Sequence, residues 1–339
     1  MARRPDLPGE PRGTRNGAGV ISWQARIVKL CCRVFVKQRM KKRDANSMQA
    51  ILKLRRSLVR FEPYSRRITR GLGVRDVASP VPGEWLMPAG EPHDRAILYV
   101  HGGAFIAFSP LSHRRLTTAL VRASGVPAFV VAYRLAPEYP FPAALDDVLA
   151  AFDALVARGI PPAGIVLAGD SAGGGLVLSA GLALTSRATG ASSPGGIIAY
   201  SPWTDLLATG DSIRSNARSD DMLVGKHALE SARNYAPTDD MLRDPLASPL
   251  YGNLTGFPPT LIFASESEIL RDDAVRFAER ARAAGARVEL VLEPAMPHVW
   301  PIFFDVMPEA KRTIAHSAAF ISMRLRDVRA PAAEETLPA

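Results

Sequence analysis

The stretch Gly164-Ile165-Val166-Leu167-Ala168-Gly169-Asp170-Ser171-Ala172-Gly173-Gly174 decides the fold. Residues 164–168 form a short apolar run of the length a buried strand needs. Residues 174–184 are rich in Ala, Leu and Gly, which predicts a helix packed closely on a sheet. A turn of small residues joins the two. A serine in such a turn is held in strained backbone, and larger neighbours would collide with the strand or the helix. Ser171 Oγ is then expected to stand above the sheet. The N–H of Ala172 would sit at the helix N-terminus, facing any negative charge that develops there. A lone G-x-S-x-G is a weak signal, because small residues also fill ordinary tight turns. Its weight depends on what the rest of the chain brings to it.

Outward from this stretch, strand and helix patterns alternate. Strands are expected at 74–77, 84–87, 96–100, 128–132, 164–168, 196–200, 260–264 and 287–292. Helices are expected at 112–124, 143–157, 174–184, about 271–284 and 309–326. Such βαβ alternation specifies a mainly parallel central sheet with helices on both faces, an α/β fold. Residues 205–244 break the rhythm. They are polar, with one helical piece near Lys226 to Tyr235, and suit an insertion over the strand ends. Residues 1–19 and 329–339 lack periodicity and are expected to be disordered tails.

The 339 residues suffice for one large domain with an added segment, 71–328 being the body and 20–70 the addition. The net charge of +9 is unevenly spread. Residues 1–70 hold 19 Lys+Arg against 4 Asp+Glu, and the remainder 23 against 29. The body is therefore mildly acidic, which argues against a catalytic domain that reads nucleic acid. A DNA-binding arm would lack any recognisable motif.

The basic segment carries two amphipathic patterns. In the first, Trp23, Ile27, Leu30 and Val34 share one stripe, and Arg26, Lys29, Arg33 and Lys37 recur on another face. The second runs from Ser47 to Arg60. The favoured reading packs both helices on the body with their basic residues in water. The sharper one is a lid over residues 20–60 whose basic face meets anionic lipid. No run of about 18 apolar residues occurs. The N-terminus lacks the apolar core of a secretory signal, so a cytoplasmic protein is expected, with membrane association as the variant. Adjacent Cys31 and Cys32 cannot form a disulfide framework or a zinc set and read as small apolar residues.

His101-Gly102-Gly103-Ala104-Phe105 follows the apolar run 96–100 directly. Two glycines at a strand end let backbone approach a ligand, so the N–H groups of Gly102, Gly103 and Ala104 are candidate donors to an oxyanion. His101 precedes the serine and reads as scaffold. In systems built on this kind of turn the acid and then the base follow the nucleophile. Of six histidines, His298 lies on a loop beyond the last strand and suits the base. His316 reads as structural; His93, His113 and His227 lie in polar surroundings and need no role. For the acid, Ser265-Glu266-Ser267-Glu268-Ile269-Leu270-Arg271-Asp272-Asp273 offers four carboxylates. Asp272 and Asp273 suit the first turn of a helix. Spacing alone does not choose between Glu266 and Glu268.

These pieces, with YRLAPEYPFPAALDD, GDSAGG, SPWTDL, DPLASPL, ILRDD and MPHVW in order, make residues 70–325 resemble the hormone-sensitive-lipase-like (GDXG) family of α/β hydrolases. The resemblance covers about three quarters of the chain and implies the α/β-hydrolase fold with a helical cap. It implies Ser171 as nucleophile, His298 as base, and Gly103, Ala104 and Ala172 as oxyanion donors. The family's acid begins the pattern D-P-L-x-D, which falls on Glu268, leaving Glu266 second. Two departures stand out: Ala104 replaces a third glycine, and the acid is Glu. The family cap would comprise residues 20–70 and 205–244 and line the acyl pocket.

The expected activity is carboxylic ester hydrolysis through an acyl-enzyme, on short- to medium-chain esters, with no metal or organic cofactor. An amidase or deacetylase on the same triad is the alternative. A non-catalytic ligand receptor on this fold would be expected to have lost a triad member. The expected partner is a small-molecule ester; the oligomeric state stays open, a homodimer included.

Overall fold

The computed structural model describes residues 21–41, 47–59, 68–89, 94–187, 193–326 and 328. The tails expected to be disordered, 1–19 and 329–339, lie outside these residues, as does His93.

Eight strands form one sheet in the order β1-β2-β4-β3-β5-β6-β7-β8. They are β1 (Gly73–Val77), β2 (Gly83–Met87), β3 (Ala96–Val100), β4 (Ala128–Val131), β5 (Ile165–Asp170), β6 (Gly196–Tyr200), β7 (Thr260–Ser265) and β8 (Val288–Glu293). β2 is antiparallel to both β1 and β4, and every other pairing is parallel. Strands β3 to β7 are buried along their whole length. That is why they read as continuous apolar runs, as parallel strands covered on both faces do.

Alternate residues of each strand serve opposite faces. On β3, Leu98 and Val100 join one core with Phe152 and Leu176, while Ile97 and Tyr99 join the other with Leu120 and Ile321. The first face carries α5 (Ala143–Ala157), α6 (Ala172–Ser186) and α10 (Arg271–Ala283); the second carries α4 (Pro110–Ser124) and α11 (Pro308–Leu325). The segment 205–244 contains α7 (Ser212–Ser215), α8 (Gly225–Tyr235) and α9 (Asp239–Arg243).

Before the sheet, α1 (Trp23–Cys31) continues through a π-helical turn, Cys32–Lys37, into α2 (Gln38–Lys41), and α3 (Met48–Val59) follows. Here the structure reverses the expected orientation. Three basic residues of this continuous helix turn inward: Lys29 and Arg33 pair with buried Asp221, and Lys37 is buried against the carbonyls of Ala217 and Asp220. The apolar stripe faces out instead, with Trp23 67%, Ile27 52% and Leu30 61% exposed. An acidic turn beneath the helix outcompetes the apolar stripe for the inner face. Cys31 is exposed and Cys32 buried, both as free thiols. Among the described residues no helix is long and apolar enough to cross a membrane.

Candidate active site

The parallel strands deliver their C-terminal ends to one rim of the sheet, the place where open α/β sheets bind ligands. Ser171 follows β5 there in a strained conformation, φ 53° and ψ −120°. The surrounding glycines have a steric reason. A Cβ at Gly173 would strike the carbonyl oxygens of Val100 and His101, and one at Gly175 the carbonyl of Trp203. Only bare backbone lets α6 start so close to β3 and the turn after β6.

His298 sits on the loop beyond β8, and its Nε2 lies 2.9 Å from Ser171 Oγ. Its Nδ1 lies 2.6 Å from Glu268 Oε2. With the ring proton on Nδ1 donated to Glu268, the Nε2 lone pair faces the serine hydroxyl. The other oxygen of Glu268 accepts from Ser265 N at 2.7 Å and Ser201 Oγ at 3.1 Å. Ser201 Oγ also accepts from Val299 N, so one hydroxyl joins the acid loop to the base loop. Glu266 is exposed and apart from the imidazole, its carbonyl held by Asn216.

Burial of the His298 ring disfavours its protonated form. The Glu268 carboxylate, reinforced by the fields of Asp220 and Asp170, more than offsets this, and the imidazole's pKa is raised above its ordinary value.

The turn after β3 supplies backbone donors. Gly103, Ala104 and Phe105 all have positive φ, at 120°, 54° and 64°. Ala104 thus takes the left-handed backbone a third glycine would adopt, at a cost of about 1–2 kcal/mol. Among the described residues nothing accepts the N–H of Gly103, Ala104 or Ala172. Gly102 is a correction. Its N–H donates to Asp170 Oδ1 at 3.1 Å, so it is used inside the protein. Asp170 also accepts from Tyr99 Oη at 2.6 Å and faces His113 Nε2 at 3.3 Å. Burial alone would raise its pKa; His113 and the Tyr99 hydroxyl reverse that and hold the carboxyl below its usual value.

Other expectations need revision. His113 is buried on Asp170, not in polar surroundings, and His227 is buried beside Glu230. His101 is scaffold as expected, stacked on Tyr133 at 4.3 Å, with its pKa pushed down to about 3, first by burial and then by neighbouring His113. His316 pairs with Glu289 across the surface. Asp272 and Asp273 do more than favour a helix start. Asp273 accepts from the N–H groups of Thr204 and Asp205, and Asp272 from Ser212 N, fixing the entry to the 205–244 segment.

Several positioning contacts were not legible in the sequence because their partners are distant in it. Asp220 accepts from Ile269 N at 2.9 Å, and Asn216 Nδ2 donates to the carbonyl of Glu268 at 2.8 Å. Arg55 of α3 donates to the carbonyls of Ile106 and Ala136 and pairs with Glu138. Phe105 stacks on Tyr235 of α8 at 3.8 Å. The helices outside the sheet thus clamp both the donor loop and the acid loop.

Asp170→Ala would leave the Tyr99 hydroxyl and the Gly102 N–H without their buried acceptor. We expect a loss of about 3 kcal/mol in stability, read from the urea midpoint. A larger fractional fall in kcat than in KM should accompany it, because the donor loop loses its anchor.

A profile of the family described as alpha/beta hydrolase fold matches residues 97–302. An acetyl-hydrolase of Streptomyces hygroscopicus is 41% identical over 238 residues, 70% of this chain and 78% of that one. An esterase of Acinetobacter venetianus is 38% identical, covering 66% of this chain and 73% of its own. The crystal structure of an esterase from the bacterial hormone-sensitive lipase family superposes with a TM-score of 0.80 at 34% identity, covering 91% of this chain and all of that one. A matching profile over most of the chain, relatives above 30% identity and one shared sheet architecture agree, and the chain therefore belongs to the hormone-sensitive-lipase-like serine esterases of the α/β-hydrolase family.

Proposed function

We propose that Ser171, His298 and Glu268 form the catalytic triad and that the protein hydrolyses short- to medium-chain carboxylic esters. The observation that carries this reading is the unbroken contact from Ser171 Oγ to His298 Nε2 and from His298 Nδ1 to Glu268, at 2.9 and 2.6 Å.

In this reading His298 Nε2 takes the hydroxyl proton as Ser171 Oγ attacks the ester carbonyl carbon. The carbonyl oxygen becomes an oxyanion held by the N–H groups of Gly103, Ala104 and Ala172. Imidazolium formed at His298 is stabilised by Glu268. It then protonates the departing alkoxide, so the alcohol leaves and Ser171 carries the acyl group. Water, deprotonated by His298, attacks the acyl carbon and returns Ser171 with the free acid. Each step moves one proton through one imidazole, which is why its pKa matters.

Residues 20–70 and 205–244 would form the cap over the body, 71–328. A cap fastened by the Phe105–Tyr235 stack and Arg55 has little freedom to open for a long chain. A relative named as an acetyl-hydrolase fits that constraint. The test is turnover of p-nitrophenyl esters from acetate to palmitate, beside the matched anilide. We expect kcat/KM to peak at short chains and fall by about tenfold or more at long ones, with the anilide far slower. Activity rising with chain length would contradict the closed cap, and a faster anilide would make the protein an amidase.

A further inference from the structure

A helix usually turns its apolar stripe inward and its charges to water. In α1 and the turn that continues it, the inner face is held by polar contacts. Lys29 and Arg33 meet Asp221 at 2.8 and 2.7 Å, and Ser22 donates to Glu309 at the helix start. These contacts fix the rotation of the helix. They leave Trp23, Ile27, Leu30 and Val34 outward, spaced 4, 3 and 4 residues apart, in one continuous stripe. Phe35 is 59% exposed next to it. A row of large apolar groups held outward by ion pairs is not a scatter of single exposed residues.

Its occupant follows from charge. Residues 1–70 carry 19 Lys+Arg and 4 Asp+Glu, and among the described residues three of those cations, Lys29, Arg33 and Lys37, are used on the acidic turn beneath α1. Arg26, Arg39 and Lys41 lie exposed in or beside the helix. A second copy docked stripe to stripe would bring two strongly basic segments together. Residues 1–19 hold only Met1 and Leu7 as large apolar side chains, too few to cover the stripe. An anionic bilayer satisfies both features: acyl chains take the stripe and lipid headgroups take the cations.

We infer that α1 is a membrane-surface anchor, lying in the interface of an anionic bilayer with Trp23, Ile27, Leu30 and Val34 inserted. The lipid-facing side is the apolar face of the helix, and the basic face expected to serve from sequence is used internally. The stripe residues are exposed and are not among those that hold the proposed triad or its donor loop, and the inference does not depend on the triad assignment.

The chain contains its own probe. Of its four tryptophans, Trp23 is 67% exposed, while Trp85, Trp203 and Trp300 are 8% exposed or less. The full chain is mixed with vesicles of phosphatidylcholine containing phosphatidylglycerol, and with vesicles of phosphatidylcholine alone. Co-sedimentation and tryptophan emission are read on each. We expect binding to the anionic vesicles at least about tenfold tighter, weakening as salt is added, with a blue shift of emission. The double variant Ile27→Asp/Leu30→Asp should lose both binding and shift while keeping its turnover of a soluble short ester. Should that variant misfold, Trp23→Phe must keep binding and lose the blue shift. No association with anionic vesicles overturns the inference. So does binding without a blue shift that survives the double variant, which would be adsorption by charge alone. A dimer that the double variant dissociates, in a protein indifferent to vesicles, would give the stripe to a second copy.

Discussion

Ser171→Ala is expected to lower kcat for p-nitrophenyl acetate by at least about 10⁴-fold, with KM little changed and the urea midpoint within about 0.5 kcal/mol of wild type. Ser171 Oγ is the side-chain oxygen 2.9 Å from the His298 lone pair, at the start of α6 where unclaimed N–H groups gather. Removing it removes the atom that would bond to the acyl carbon. What would remain are the N–H groups proposed to hold the oxyanion, which should retain some rate enhancement over water. The fold should not suffer, because among the described residues the serine hydroxyl is held by that hydrogen bond alone. Nor should the backbone relax, because an alanine at position 171 has a Cβ too and keeps the strain of the same positive φ. Unchanged turnover in purified, folded variant would remove Ser171 from the chemistry.

The second large effect concerns the acid. Glu268→Gln is expected to lower kcat/KM by about 10³–10⁴-fold, and Glu266→Gln by less than about twofold. The amide keeps the size of Glu268 and its contacts to Ser265 N and Ser201 Oγ through its carbonyl oxygen. It cannot stabilise an imidazolium, and its N–H₂ would favour the wrong tautomer of His298. The pH profile separates this from simple misplacement. In the proposed mechanism deprotonated His298 is the active form, and its pKa is raised in the folded protein. The acid limb of kcat/KM should therefore lie above about pH 6.5, activity growing as pH rises through it. In Glu268→Gln the raising partner is gone while burial persists, so the residual activity should keep its acid limb at lower pH. A limb that stays in place would mean that the carboxylate at 268 is not what supports the base.

How far these residues were legible follows from how local their signals are. The order of strands and helices was readable because β3 to β7 are buried on both faces, so each is an unbroken apolar run. The serine turn was readable because steric demands at Gly173 and Gly175 are written into adjacent positions. Gly102 shows the limit. At a strand end a glycine N–H looks free, and only the fold brings Asp170, 68 residues on, to accept it. His113 and Asp170 are similarly separated, so a buried contact read as a histidine in polar surroundings with no role. For α1 the periodicity was right and the rotation wrong. A hydrophobic stripe says that a helix has two faces; it does not say that Asp221, far along the chain, will claim the basic one. Arg55, Asn216 and Asp220 escaped for the same reason, since they act on loops they do not adjoin.

The central claim is that acyl transfer runs through Ser171. Its most direct test is to mix the protein with a p-nitrophenyl phosphonate, which leaves a stable adduct on an activated serine, and to read intact mass and then peptide masses. The account predicts one adduct per chain, on the peptide containing Ser171, formed at least about 10³-fold more slowly in Glu268→Gln. An adduct on another residue, or full esterase turnover in protein that takes no adduct at Ser171, would contradict it.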